Sequence, residues 1–259
     1  MFRLQSIITS RLPIELFDLT PQVVANFCVT ELAAYLVLHG NRRVPLGEFF
    51  DITRLNATAD LQFTGDCRSV HGLAAGLCGG TVCVDGPVGR RAGVQMTGGT
   101  LTIHGDAGDW LGCEMRGGAI TVHGQAGNCA GGSFVGSRCG LTGGQIDIFG
   151  DAGHEVATRM RRGRLHIRGR VGHFAGSSMI AGTLIVDGEW GRQAGAGMKR
   201  GTLIATGPAP VMPLGYSLSC NIVPGFFPLL GLPPARQEWL CYRGDALDGG
   251  RGELYCRAG

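Results

Sequence analysis

The sequence predicts an all-β solenoid, a right-handed parallel β-helix of about seven to eight coils, and three observations carry the prediction. A glycine recurs at Gly80, Gly99, Gly118, Gly144, Gly163, Gly182 and Gly201, and at the first four it is the second of a Gly-Gly pair. Successive steps are 19 residues, except one of 26 between Gly118 and Gly144. A fixed period near twenty is the mark of units that bury their apolar face only by stacking. After each of these glycines, aliphatic residues alternate with mostly polar ones, as in a strand with one buried face. Further glycines then recur at fixed offsets, as corners require.

Counting each of those glycines as offset zero, offset two reads Val82, Leu101, Ile120, Ile146, Leu165, Leu184 and Leu203. Offset four reads Val84, Ile103, Val122, Ile148, Ile167, Val186 and Ala205. Between them stand Cys83, Thr102, Thr121, Asp147 and His166, which are expected to point outward. Offset twelve is apolar again (Ala92, Leu111, Ala130, Val156, Ala175, Ala194), and offset thirteen is glycine except at Ala157. Offset sixteen reads Met96, Met115, Phe134, Met160, Met179 and Met198. A methionine column could be a ladder of soft-metal ligands. Because Phe134 interrupts it, the column is read as a stacked core row. The 26-residue step is one period plus a seven-residue insertion, placed at residues 136–142. Parallel crossovers favour right-handed coiling, and with about 4.8 Å per coil the stack stands roughly 35 Å tall.

The repeat divides the chain into a small N-terminal α/β cap (1–58), the Gly-rich helix (59–207) and a Pro-rich C-terminal arm or cap (208–259). Residues 59–79 read as a degenerate first coil, with Leu61, Phe63 and Gly65 in its strand. Thr20 and Pro21 form an N-cap and first-position pair that opens a helix over the region 23–36, although residues 35–38 also suit a strand. Residues 39–41 read as a turn. From Pro208 onward prolines and apolar residues such as Phe226, Phe227, Leu229, Leu230 and Trp239 replace the repeat. Both flanks are expected to cover the open strand edges. So apolar a tail also suits an arm laid over a neighbouring protein.

Composition narrows the function. Glycine supplies 46 of 259 residues, well above the usual ~7%, and the period accounts for the excess. Charged residues are only 17% of the chain, so much of the outer face is expected to be covered by other chains. A net charge of +3 argues against a nucleic-acid partner. No segment is apolar enough to span a membrane, and the first twenty residues lack a signal-peptide pattern. Ten cysteines without C-x-x-C spacing read as reduced thiols of a cytoplasmic protein, not as iron–sulfur or zinc ligands.

No nucleophile–base set, G-x-S-x-G motif or recurrent acid pair is visible, so no catalytic residue is assigned. His104 and His123 share an offset in adjacent coils, with Asp85 as the third possible ligand, and are read as a surface ladder with no metal. The charge feature is basic: Arg161, Arg162, Arg164, His166, Arg168 and Arg170, with Arg116, Lys199 and Arg200 at matching offsets. This stripe is expected to meet an acidic partner surface or an anionic small molecule, against the alternative of a solvated face. Arginine outnumbers the single Lys199 twenty-two to one, which reads as genome composition.

The repeat, for instance GGTLTIHGDAG at residues 98–108, resembles the Gly-rich β-helix shared by glutamate synthase and the C subunit of formylmethanofuran dehydrogenase. The flank HGNRRVPLGEFFDI at residues 39–52 and the stand-alone length are similar to that C subunit. The resemblance implies a non-catalytic scaffold in the formyltransferase/hydrolase complex, which takes formyl-tetrahydromethanopterin through formylmethanofuran to formate. The alternatives are the C subunit of a tungsten or molybdenum formylmethanofuran dehydrogenase and a free-standing β-helix enzyme. It also implies amidohydrolase-like, pterin-enzyme-like and formyltransferase partner subunits. A methanofuran-type cofactor and a zinc-bearing partner belong to the complex (a tungsten or molybdenum pterin in the alternative), with no cofactor held by this chain. Methanofuran-type cofactors carry glutamates, which gives the basic stripe a second ligand.

Overall fold

Strands placed at offsets one to four pair in register along the whole repeat. In the computed structural model, which describes residues 1–257, they are Thr81–Val84, Thr97–Ile103, Gly117–Val122, Gln145–Ile148, Arg164–Ile167, Thr183–Val186 and Thr202–Ala205. Each pairs parallel with the next, so Val82, Leu101, Ile120, Ile146, Leu165, Leu184 and Leu203 lie in one row. All seven are fully buried, as are the residues two positions on. Among the described residues the sheet has thirteen strands. It is parallel except for Phe50–Arg54 at one edge and Ser217–Ile222 and Trp239–Gly244 at the other.

A second ladder runs beside the first. Cys67, Val88, Ala107, Ala126, Ala152, Val171 and Trp190 form successive parallel bridges at offset eight. Just past the second ladder the chain turns, and glycine at offset nine has a steric cause. A Cβ on Gly108 would stand 2.8 Å from the carbonyl carbon of Gly89 in the preceding repeat. Offset thirteen needs glycine for a different reason, since φ is positive there throughout, and Ala157 accepts a φ of 56° at the one position without it.

Side chains near the second ladder cap the backbone of the next repeat. Asp109 Oδ1 accepts from the Asn128 N–H (2.9 Å), and Asn128 Oδ1 from that of His154 (2.8 Å). His154 Nδ1 accepts from His173 N–H, and His173 Nδ1 from Arg192 N–H, both at 2.9 Å. His71 Nδ1 does the same for Arg90 N–H at 2.8 Å. A neutral imidazole that accepts at Nδ1 carries its proton on Nε2.

The five methionines of offset sixteen are fully buried. Phe134, expected in that row, is not in it. It is half-buried in a satellite cluster with Cys113 and Trp110, and Leu141 fills the core slot. Leu141 O accepts from Arg161 N–H just as Met179 O accepts from Lys199 N–H. The seven extra residues therefore precede Leu141 and do not occupy 136–142 as a block. A bulky aromatic beside the insertion goes to the surface, because the loop can return any apolar residue to the vacant row.

Both flanks add strands to the sheet. Leu61–Thr64 pairs parallel with Thr81–Val84, and the N-terminal strand Phe2–Ser6 pairs parallel with Leu61–Thr64. At the other end Gly252–Arg257 continues the parallel row beyond Thr202–Ala205. The expected helix over 23–36 is replaced by two short ones, Pro21–Val24 and Val29–Ala33. The alternative strand is present as Leu36–His39, which turns through Gly40 into Arg42–Pro45. The apolar tail packs on its own chain. Phe227, Leu232, Trp239 and Tyr255 lie over Ile185 and Ile204, outward residues that are fully buried as a result.

Candidate functional site

The outward face of the parallel sheet carries the chemistry-bearing side chains in two columns. The offset-five column runs Asp85, His104, His123, Phe149, Arg168 and Asp187. The rings of His104 and His123 stack at 4.9 Å and 5°, and Phe149 continues the stack at 5.1 Å. Arg168 lies 5.7 Å from the Phe149 ring centroid and 3.4 Å from the Asp187 carboxylate.

The six residues of the basic stripe divide into three environments. Arg161 and Arg162 are exposed at the corner before the strand and make no ion pair among the described residues. Arg164 is half-buried: Nη2 donates to both Asp147 oxygens (3.0 and 2.8 Å) and Nη1 to Leu230 O (2.7 Å). Its buried Nε has no partner among the described residues. Arg170 pairs with Asp151 at 3.0 Å and Arg168 with Asp187. His166, expected on the outward face, is 2% exposed. The face is the expected one, but the tail covers it there.

His166 Nε2 donates to Asp187 Oδ1 at 3.0 Å, and Nδ1 lies 4.0 Å from Asp147. Thr206 Oγ1 also donates to Asp187. Burial pushes the Asp187 carboxyl up, but the hydrogen bonds from His166 and Thr206, with the charges of His166 and Arg168, outweigh it. The net effect holds Asp187 below the usual carboxylate range. Three of the stripe's arginines are thus matched by aspartates one repeat away. Free positive charge collects at Arg161 and Arg162, beside Arg116 and Arg200 at equivalent corner positions.

Two concavities flank this face. A shallow groove of about 590 Å³ runs over Gly99, Gly118, Gly144 and Gly163 to Arg164 and Leu230. A second, of about 640 Å³, lies under the tail between Arg168, Asp187, Trp239, Arg236 and Arg257. Sequence reasoning missed both, because the tail that walls them has no period. The usable signal was Ile185 and Ile204, apolar residues at the otherwise polar offset three.

The GXGXG motif family matches residues 80–209, the span of the recurring glycines. The chain belongs to the GXGXG-motif family. Within it, the chain is similar to the C subunit of the molybdenum-containing formylmethanofuran dehydrogenase 1 of Methanothermobacter thermautotrophicus. The identity is 30% over 84 residues, 32% of this chain and 21% of that relative, so the match spans about a fifth of the relative's length. A solved structure matches end to end: a chain of the formyltransferase/hydrolase complex (FhcABCD) from Methylorubrum extorquens, in complex with methylofuran. Identity is 32%, the TM-score 0.88, and the match covers 99% of this chain and 100% of that one. No helix among the described residues is long and apolar enough to cross a membrane.

Proposed function

We propose that this GXGXG chain is the C subunit of a formyltransferase/hydrolase complex, a non-catalytic scaffold on which catalytic subunits assemble. The observation that carries the reading is the end-to-end likeness to a chain of FhcABCD, flanks as well as repeats. On the family resemblance, such a complex would carry formyl-tetrahydromethanopterin through formylmethanofuran to formate, with the chemistry on partner subunits of amidohydrolase and formyltransferase type. The scaffold reading rests on the repeat inventory: recurrent positions are buried rows, corners, backbone caps or outward columns. The two parallel ladders support reading each period as one coil of a right-handed parallel β-helix, with residues 1–58 and 208–259 as its caps. Its place of action is the cytoplasm.

Within this reading Arg161 and Arg162 form the contact that matters, with Arg164, His166, Arg168 and Arg170 as the ion-paired platform behind them. Arginine forks there meet carboxylates of a neighbouring subunit or of a glutamate-bearing cofactor. Purifying the tagged chain from its own cells tests the assignment. Amidohydrolase-type, pterin-enzyme-type and formyltransferase subunits should accompany it, and the complex should hydrolyse formylmethanofuran while the isolated chain does not. A preparation free of tungsten and molybdenum supports the hydrolytic complex; a pterin metal assigns the chain to a dehydrogenase. Hydrolysis by the folded chain alone would overturn the scaffold role.

A further inference from the structure

The open end of the outward face, away from the tail, brings together three side chains with metal-binding atoms. Cys83 and Asp85 are two residues apart in one extended segment, so both point outward. The register that pairs Val84 with Ile103 sets His104 beside Asp85. The Cys83 Sγ, an Asp85 carboxylate oxygen and a His104 ring nitrogen all lie within 4.8 Å of one another. Sequence spacing alone offered His104 and His123 with Asp85. The structure replaces His123 with Cys83, since the His123 ring lies flat against His104 at 4.9 Å instead of pointing to a shared centre.

We propose that Cys83, Asp85 and His104 form a zinc-binding site that leaves the fourth coordination position open. One sulfur, one nitrogen and one oxygen suit a borderline-soft ion with tetrahedral preference, and would be a poor set for magnesium or calcium. Ligand atoms around a tetrahedral zinc stand about 3.5 Å apart. The trio therefore closes by about 1 Å through side-chain rotation, with no backbone movement. Asp85 and His104 are exposed and Cys83 half-buried, so those rotations are unobstructed by core packing.

Local geometry prepares each ligand. Gln62 Nε2 donates to Asp85 Oδ2 at 2.8 Å, which holds that oxygen and turns Oδ1 toward Cys83, 3.6 Å away. His104 differs from His71, His154 and His173, whose Nδ1 atoms accept backbone N–H groups and whose protons are thereby fixed on Nε2. A metal at Nε2 of those three would break the cap. The ring of His104 has no hydrogen bond among the described residues, and its stacking on His123 fixes its plane. As the Zn–S bond forms, the Cys83 S–H proton leaves to solvent. Burial, with the charge and hydrogen bonding of Asp85, pushes that thiol up. Because binding releases that proton, affinity rises with pH. Thiolate and carboxylate together neutralise the ion's two charges.

Titrating the reduced, metal-stripped full-length chain with Co²⁺, followed by displacement with Zn²⁺, tests the site. One equivalent of Co²⁺ should produce a thiolate charge-transfer band that one equivalent of Zn²⁺ removes and excess Mg²⁺ leaves. Cys83→Ser should abolish the band, and His104→Ala and Asp85→Asn should each weaken binding at least about tenfold. Gln62→Ala, which removes only the carboxylate's hydrogen bond, should weaken it by about tenfold, while His123→Ala keeps it within about twofold. Zinc should raise the melting temperature of wild type and not of Cys83→Ser, and the metal-free melting of the two should agree. A wild-type chain without the band overturns the proposal, and so does a band that survives Cys83→Ser, because one of the nine other cysteines would then be its source.

Discussion

Replacing Ile204 by threonine separates the repeat from the structure built on it. By the period alone the change is conservative: Thr102 and Thr121 occupy the same outward offset in earlier repeats, half-exposed. In the folded chain Ile204 has no exposure and lies in a cluster with Phe227, Trp239, Cys241 and Tyr255. Losing one methyl(ene) from a packed core costs about 0.5–1.5 kcal/mol. Burying the new hydroxyl without a partner adds about 1–3 kcal/mol. A loss of about 1.5–4.5 kcal/mol is expected. Ile204→Val isolates the first contribution, and Thr102→Ile, at the exposed end, should change stability by less than about 0.5 kcal/mol. Stacked repeats need not unfold in one step, so urea denaturation should be followed together with trypsin cleavage at Arg236 and Arg243. Early cleavage of the tail in Ile204→Thr, ahead of loss of the strand signal, is the expected order. If Ile204→Thr matches wild type within about 0.5 kcal/mol and its tail resists trypsin equally, the tail does not rest on this strand and the reasoning fails.

Other outcomes follow from the same geometry. Leu101→Asp places a charge in a fully buried row and should abolish folding as judged by circular dichroism, while Thr102→Asp, one residue on, should remain folded. Gly108→Ala should destabilise by more than the few tenths of a kcal/mol of a surface change, because its Cβ meets the Gly89 backbone; a melting curve equal to wild type would refute the close approach. Burial and, secondarily, the Arg90 charge lower the His71 pKa, so the unfolded chain takes up that proton at a higher pH than the folded one. Stability should therefore fall as pH drops below about 6.5, and His71→Asn, which keeps an acceptor for Arg90 N–H as Asn128 does for His154, should flatten that fall. Arg161→Gln with Arg162→Gln should leave melting unchanged and weaken complex association at low salt more than at high salt; equal association at both would make this corner a solvated one.

The central repeat was legible because stacking demands the same residue type at the same offset, so each row was written several times. The flanking strands were not. Phe2–Ser6 and Gly252–Arg257 join the sheet through pairings set by position in space, and a single copy of Phe2, Leu4, Leu254 and Cys256 shows no period. Phe134 misled because size and apolarity matched its row, while the inserted loop delivered Leu141 instead. For the basic stripe the residues were visible and their environment was half visible. Asp151 with Arg170 and Arg168 with Asp187 are nineteen residues apart, one period, and spacing alone could have paired them. Burial of His166 needed the tail, which announced itself only through Ile185 and Ile204.

The loop ahead of Leu141 bears on how such a chain can vary. Its residues include Val135, fully exposed, and the strands on either side, Gly117–Val122 and Gln145–Ile148, remain in register as though the period were unbroken. Phase is therefore set by what the loop hands back, an apolar side chain to one row and a carbonyl to Arg161 N–H, and not by how many residues it spends outside. A corner of this kind is a free port: foreign sequence placed between Gly132 and Gly140 would be displayed on the surface while the rows beneath count on undisturbed.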